Sequence, residues 1–71
     1  MARFLLSIND HEVVAYATGG HDFYRASDDA LWAHESDGHL LAAKSGTTLA
    51  RKFGRVYYDA NDDVPLYYQS G

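Results

Sequence analysis

Four histidines, a run of aspartates and a basic segment are the residues of this chain that could do chemistry. His34-Glu35 followed by His39 approaches the His-Glu-x-x-His pattern of zinc hydrolases, but three residues intervene between Glu35 and His39. Five positions on a helix turn about 140°, so these imidazoles would not converge on one metal. All four histidines, His11 and His21 included, read as solvated or loop residues. Asp59-x-Asn61-x-Asp63 supplies the first three ligand types of a calcium loop, yet the sixth position is Val64 instead of Gly and the twelfth is Ser70 instead of Glu. Carboxylates and amides so placed commonly bond their own turn.

Nucleophilic chemistry finds no better footing. The chain has no cysteine, and none of its serines sits in a nucleophile-elbow sequence. Thr18-Gly19-Gly20 lacks the Gly-Lys-Ser/Thr of a phosphate loop and reads as a turn. No catalytic residue, cofactor or metal is therefore expected, and the chain is read as a non-enzyme.

Charge is the more informative property. The 71 residues carry ten acids and six bases, a formal net charge of −4. That argues against a simple nucleic-acid binder, which clusters Lys and Arg against phosphates. The order along the chain is acidic, basic, acidic: four of the six bases, Lys44, Arg51, Lys52 and Arg55, fall within one short segment. Arg51, Lys52 and Arg55 with nearby aromatics are the residues a nucleic-acid-contacting domain would use.

The densest cluster of Tyr and Asp lies at Arg55–Gln69, where two Tyr-Tyr doublets flank an Asp/Asn-rich turn. A four-residue loop at Ala60–Asp63 would set Tyr57 opposite Leu66. A five-residue loop pairs Tyr58 with Val64 and Val56 with Leu66. The second gathers Val56, Tyr58, Val64, Leu66 and Tyr68 on one apolar face and is preferred, because a one-residue slip flips every side chain. Tyr57 and Tyr67 then point outward beside Asp59, Asp62 and Asp63. These five are the expected partner-binding residues. Tyr anchors a contact at low entropic cost, and carboxylates attract a basic partner. Pro65 cannot donate to a ladder, so the last strand is expected at a sheet edge, open to another chain.

The remaining elements must position this hairpin. Arg3–Ile8 and His11–Ala17 read as a hairpin around Asn9-Asp10 that pairs Leu6 with Val13 and Phe4 with Ala15. Ser27 is a good helix N-cap before Asp28–Glu35, and Gly38 a good stop. The rival reading treats Asp37-Gly38 as a type I′ turn that pairs Trp32 with Ala43 and His34 with Leu41. Thr47 or Thr48 can cap a second short helix over Leu49–Phe53. The expected fold is α+β: one domain over residues 1–71, an antiparallel sheet of about four strands in two hairpins, and one or two short helices. The Tyr-Tyr doublets are the only repeat recognised. A chain this short has a marginal core. The apolar part of the N-terminus is too short for a signal peptide or membrane span, and the lack of cysteine suits the cytoplasm.

In size and charge the chain resembles the small acidic inhibitors that phages use against bacterial defence, including anti-CRISPR proteins and DNA mimics. That resemblance implies a protein-binding module occupying a basic surface of a larger partner, such as a defence nuclease or CRISPR complex, without membrane contact. The alternatives are a homo-dimer or higher homo-oligomer assembling through the Tyr-rich edge, and the nucleic-acid contact above. Whether Asp28 and Asp29 join the hairpin tip in one acidic face is left open.

Overall fold

Eight short antiparallel strands account for the fold. They are β1 (Arg3–Ser7), β2 (Val13–Ala17), β3 (Asp22–Arg25), β4 (Leu31–Ser36), β5 (His39–Ala42), β6 (Thr48–Phe53), β7 (Val56–Asp59) and β8 (Pro65–Ser70). Each pairs with its neighbours in sequence, and β8 returns to pair with β1, so the sheet closes into an up-and-down barrel. The computed structural model describes residues 2–70. The barrel measures 27 × 27 × 20 Å, a squat ring.

The expectation of an α+β fold with four strands is overturned: no helix occurs among the described residues. Both expected helices are strands, β4 and β6. A helix of five to eight residues is marginal in water on its own, so packing decides. In the extended form Ala33 turns into the core and His34 away from it, which suits the alternation of a strand wall. Asp37-Gly38 is the turn between β4 and β5, with φ of 55° and 79°, and His34 pairs with Leu41 as the rival reading required. Ser27-Asp28-Asp29, read as a cap, is the loop between β3 and β4.

The barrel is built from four copies of one unit. In each, a strand, a wide four-residue loop and a bulged strand follow in order. One large and one small inward residue face each other across each of the first three pairs: Leu5 and Ala15, Phe23 and Ala33, Leu40 and Ala50. The fourth pairs Tyr57 with Tyr67. The first members lie 18, 17 and 17 residues apart. Leu5, Phe23, Leu40 and Tyr57 are fully buried, as are the three alanines. In the first three units large residues from odd strands and small ones from even strands fill the interior, the usual solution for a narrow barrel, while the fourth fills it from both strands.

Every unit also has a bulge in the same place. Leu6 pairs with Val13 while Leu5 pairs with Ala15, so Val14 is the extra residue; Trp32, Leu49 and Leu66 are its counterparts. A bulge frees a backbone group from the regular ladder. Here the freed carbonyl accepts from the next unit: Ala26 N–H donates to Val14, Ala43 to Trp32 and Ala60 to Leu49, at 2.9, 3.0 and 3.3 Å. Ile8 donates to Leu66 at 3.0 Å and closes the ring. The bulge also corrects the expected N-terminal register. Leu6 does face Val13, but Leu5 rather than Phe4 opposes Ala15, so Phe4 lies on the outer wall.

The same offset corrects the last hairpin. Its loop has four residues, Ala60–Asp63, closed by a bond from Asp59 N–H to Val64. Tyr58 then pairs with Pro65, and the bulge at Leu66 brings Tyr57 opposite Tyr67. Pro65 opens β8, where its missing N–H is tolerated. β8 is not an edge: it is paired to β7 on one side and β1 on the other. The open Tyr-rich edge expected for self-assembly does not exist in this fold.

Candidate functional site

All four wide loops emerge at one end of the barrel, which we call the wide-turn rim. Each is an α-turn whose last residue has positive φ: His11, Asp29, Gly46 and Asp63, at 60°, 59°, 74° and 60°. The N–H of each donates to the carbonyl four residues earlier, at 2.7–3.0 Å. The residue before it braces the loop from the side chain. Asp10 accepts from Glu12 N–H, Asp28 from Ala30, Ser45 from Thr47 and Asp62 from Val64, at 3.1–3.2 Å. Aspartate recurs because its carboxylate reaches the backbone two residues on. The aspartates of the rim are thus structural first, and the charge they carry follows from that.

The result is charge segregation. Seven of the ten carboxylates lie in the segments closed by these loops: Asp10, Glu12, Asp28, Asp29, Asp59, Asp62 and Asp63. Arg25 and Lys44 are the only bases there. Going round the ring, the fourth, first and second loops form an acidic arc, and the third, with Ser45 and Gly46, interrupts it at Lys44. Asp28 and Asp29 therefore share a rim with Asp62 and Asp63, the point the sequence left open. The guanidinium of Arg25, 3.0 Å from Asp28, and the Ala30 amide hold the Asp28 carboxyl below its usual range.

The outer wall pins the rim. Tyr16 donates to Asp29 at 2.7 Å, which raises the Tyr16 hydroxyl above its ordinary value. Arg51 bonds Asp63, and Tyr68 lies 3.1 Å from His11 Nδ1. In each case the outward residue of one unit reaches the last loop residue of the next. His34 occupies that position in the second unit, and Gly46 offers it no side chain.

The opposite end is built differently. At this tight-turn rim two turns are tight, at Asp37-Gly38 and Gly54-Arg55, and residues 18–21 around Gly19-Gly20 make a four-residue one. Beneath them the barrel mouth is stopped by an ion cluster. Glu35 accepts from Arg3 at 3.2 Å and from the Tyr57 hydroxyl at 2.9 Å, with Lys52 Nζ 3.6 Å away. Only 15% of the Glu35 side chain is exposed. Burial alone would raise its pKa; the Tyr57 hydroxyl, Lys52 and Arg3 outweigh this and hold it below 4.5, its ordinary value. Burial first, and the Glu35 carboxylate second, push the Tyr57 hydroxyl far up.

These positions revise the expected site. Asp59, Asp62 and Asp63 do stand on the rim. Tyr57 does not face outward: it is fully buried and bonded to Glu35. Tyr67 also points inward, edge-on to Trp32 at 5.7 Å, and burial followed by Asp59 raises its hydroxyl. Tyr57 and Tyr67 share a face as expected, but that face is the inner one, and Tyr58 and Tyr68 take the outer wall. Asp59 and Asp62 spend carboxylate oxygens on the loop amides of Asn61, Asp62 and Val64.

The basic segment is also divided. Arg51 faces out toward Asp63, Lys52 faces in toward Glu35, and Arg55 donates to the Gln69 carbonyl at 3.2 Å. The three do not form one cationic face. Sequence reasoning missed Glu35 as the centre of the mouth cluster and Asp10 and Glu12 as members of the arc. The recurring Asp before a turn was the signal for Asp10. Comparison with protein families, curated proteins and solved structures returned no match.

Proposed function

We propose that this chain is a small acidic protein-binding module whose wide-turn rim occupies a basic surface of a larger partner. The observation that supports this reading is the segregation of seven carboxylates onto one rim, while the opposite mouth balances its charges internally. A rim of carboxylates held by their own loops presents charge without first having to be ordered, which favours both encounter rate and register. Such a rim can stand where a phosphate backbone would. The partner class is therefore a nucleic-acid-binding protein, as with phage inhibitors of defence nucleases or CRISPR complexes. The proposal assigns the module no catalytic step and places it in the cytoplasm, where a cysteine-free chain has no need of an oxidising compartment.

The test is capture of bacterial proteins on immobilised chain at low salt, followed by elution with duplex DNA. Asp28→Asn, Asp62→Asn and Asp63→Asn together remove charge while keeping loop acceptors. The expected outcome is a DNA-eluted partner held by the native chain and by an Asp22→Asn/Asp37→Asn control, but not by the rim variant. Capture of the same proteins by the rim variant contradicts the proposal.

A further inference from the structure

The four-unit frame separates what the barrel requires from what it does not. Position by position, Phe53 corresponds to Ser36 and Ser70 at the end of the second strand in two other units, and to Thr18, one residue past β2, in the first. Three small hydroxyl residues suffice there, so the frame does not need an aromatic. Yet Phe53 is the most exposed large apolar residue among those described, at 69%. It stands edge-on to Tyr58, ring centroids 6.1 Å apart. With Arg51 and Asp63 these two rings line a shallow groove of about 440 Å³ on the outer wall between β6 and β7. Asp63 belongs both to this groove and to the acidic arc, and Asp62 precedes it in the loop.

We propose that this groove is the anchor site of the docking face. It takes one apolar side chain from an extended basic segment of the larger partner, whose neighbouring Lys or Arg pairs with Asp62 and Asp63. This rests on the rim reading and adds the contact that gives it specificity. Charge complementarity names the occupant: Arg51 pairs with only one of the two carboxylates at the groove's rim, so two aromatic rings beside Asp62 and Asp63 still carry net negative charge and select an apolar residue flanked by cations. Interfaces concentrate their affinity in such aromatic-lined contacts, with charged rims steering approach.

The experiment titrates the isotopically labelled chain with the peptides Lys-Lys-Leu-Lys-Lys and Lys-Lys-Gly-Lys-Lys, followed by amide chemical shifts. The leucine peptide is expected to shift β6 and β7 amides around Phe53 and Tyr58, and to bind more tightly than the glycine peptide. Phe53→Ser, which copies two of the other units and so retains the fold, is expected to weaken the leucine peptide about tenfold, the loss of roughly 1.4 kcal/mol. Its effect on the glycine peptide is expected to be nil. Equal binding of both peptides at the rim, unchanged in Phe53→Ser, overturns the anchor and leaves the rim reading standing. No binding by either peptide overturns both. Concentration-dependent shifts in the groove without peptide assign it to a second copy and overturn the proposal.

Discussion

The two rims of this barrel teach different things. At the wide-turn rim, four loops of unlike sequence adopt one backbone, with the same α-turn, the same side-chain brace and the same stitch to the neighbouring unit. At the tight-turn rim three turns have three chemistries, and closure depends on a single cluster around Glu35. The first rim is specified redundantly and can carry surface charge freely. The second is specified once, through Arg3, Glu35, Lys52 and Tyr57, and its charges are committed to the fold. That contrast is why the acidic arc is read as a binding face and the mouth cluster is not.

The largest effect should come from the singly specified mouth. Tyr57→Ala removes a buried ring and the Glu35 bond together and should cost about 3–5 kcal/mol, seen as loss of the folded chain in denaturant titration. Tyr57→Phe should retain the fold at a much smaller cost. A mild effect of Tyr57→Ala would mean that the interior does not depend on this ring.

Glu35→Ala should cost about 1–3 kcal/mol, since it leaves the buried Tyr57 hydroxyl without its close acceptor. Its pH dependence sharpens the point. The folded Glu35 pKa lies below its unfolded value, so its contribution is complete above pH 4.5 and is lost as pH falls through the lowered folded value. Denaturation curves from pH 7 downward should show this loss in the native chain and lack it in Glu35→Gln. Identical acid sensitivity of the two would contradict the cluster.

At the wide-turn rim the effects should be smaller and alike. Asp10→Ala, Asp28→Ala and Asp62→Ala should each cost about 1 kcal/mol, by analogy with the loss of a capping side chain, whereas the Asn variants keep the acceptor and stay near native. Thermal melts of the six variants test whether the loops are equivalent. Gly46→Asp should be comparable to the Ala variants. The added Cβ meets nothing within 4 Å, and the φ of 74° resembles that of Asp29 and Asp63, so a cost of about 1 kcal/mol is expected. A large loss would show that the third loop is not a copy of the others.

Part of this was legible in the sequence. Asp37-Gly38 announces its turn, and Leu6 opposite Val13 follows from the first hairpin. The barrel itself was hidden because its repeat is of size and place, not identity. Leu5, Phe23, Leu40 and Tyr57 share only bulk, and the 18-17-17 spacing shows no common motif. The bulges did the rest. One extra residue at Leu66 sets Tyr57 opposite Tyr67 across a four-residue loop, and no local propensity marks it; the face that looked more apolar, with Val56, Tyr58 and Tyr68, is the outer wall. The short segments around Trp32 and Leu49 are helix-compatible in isolation, and only ring closure makes them strands. The carboxylates at Asp59, Asp62 and Asp63 were correctly placed at a tip, but that the tip shares a rim with Asp10 and Asp28 depends on topology.

Amide hydrogen exchange at four residues tests the closed ring most directly. Ala26, Ala43 and Ala60 donate to the bulge carbonyls of the preceding unit, and Ile8 makes the equivalent bond to Leu66 across the join of first and last strands. The account predicts that Ile8 exchanges as slowly as Ala26 and Ala43. An Ile8 amide that exchanges at the unprotected rate while the other three are protected would mean an open sheet with two edges, and would contradict the four-unit ring on which the acidic arc depends.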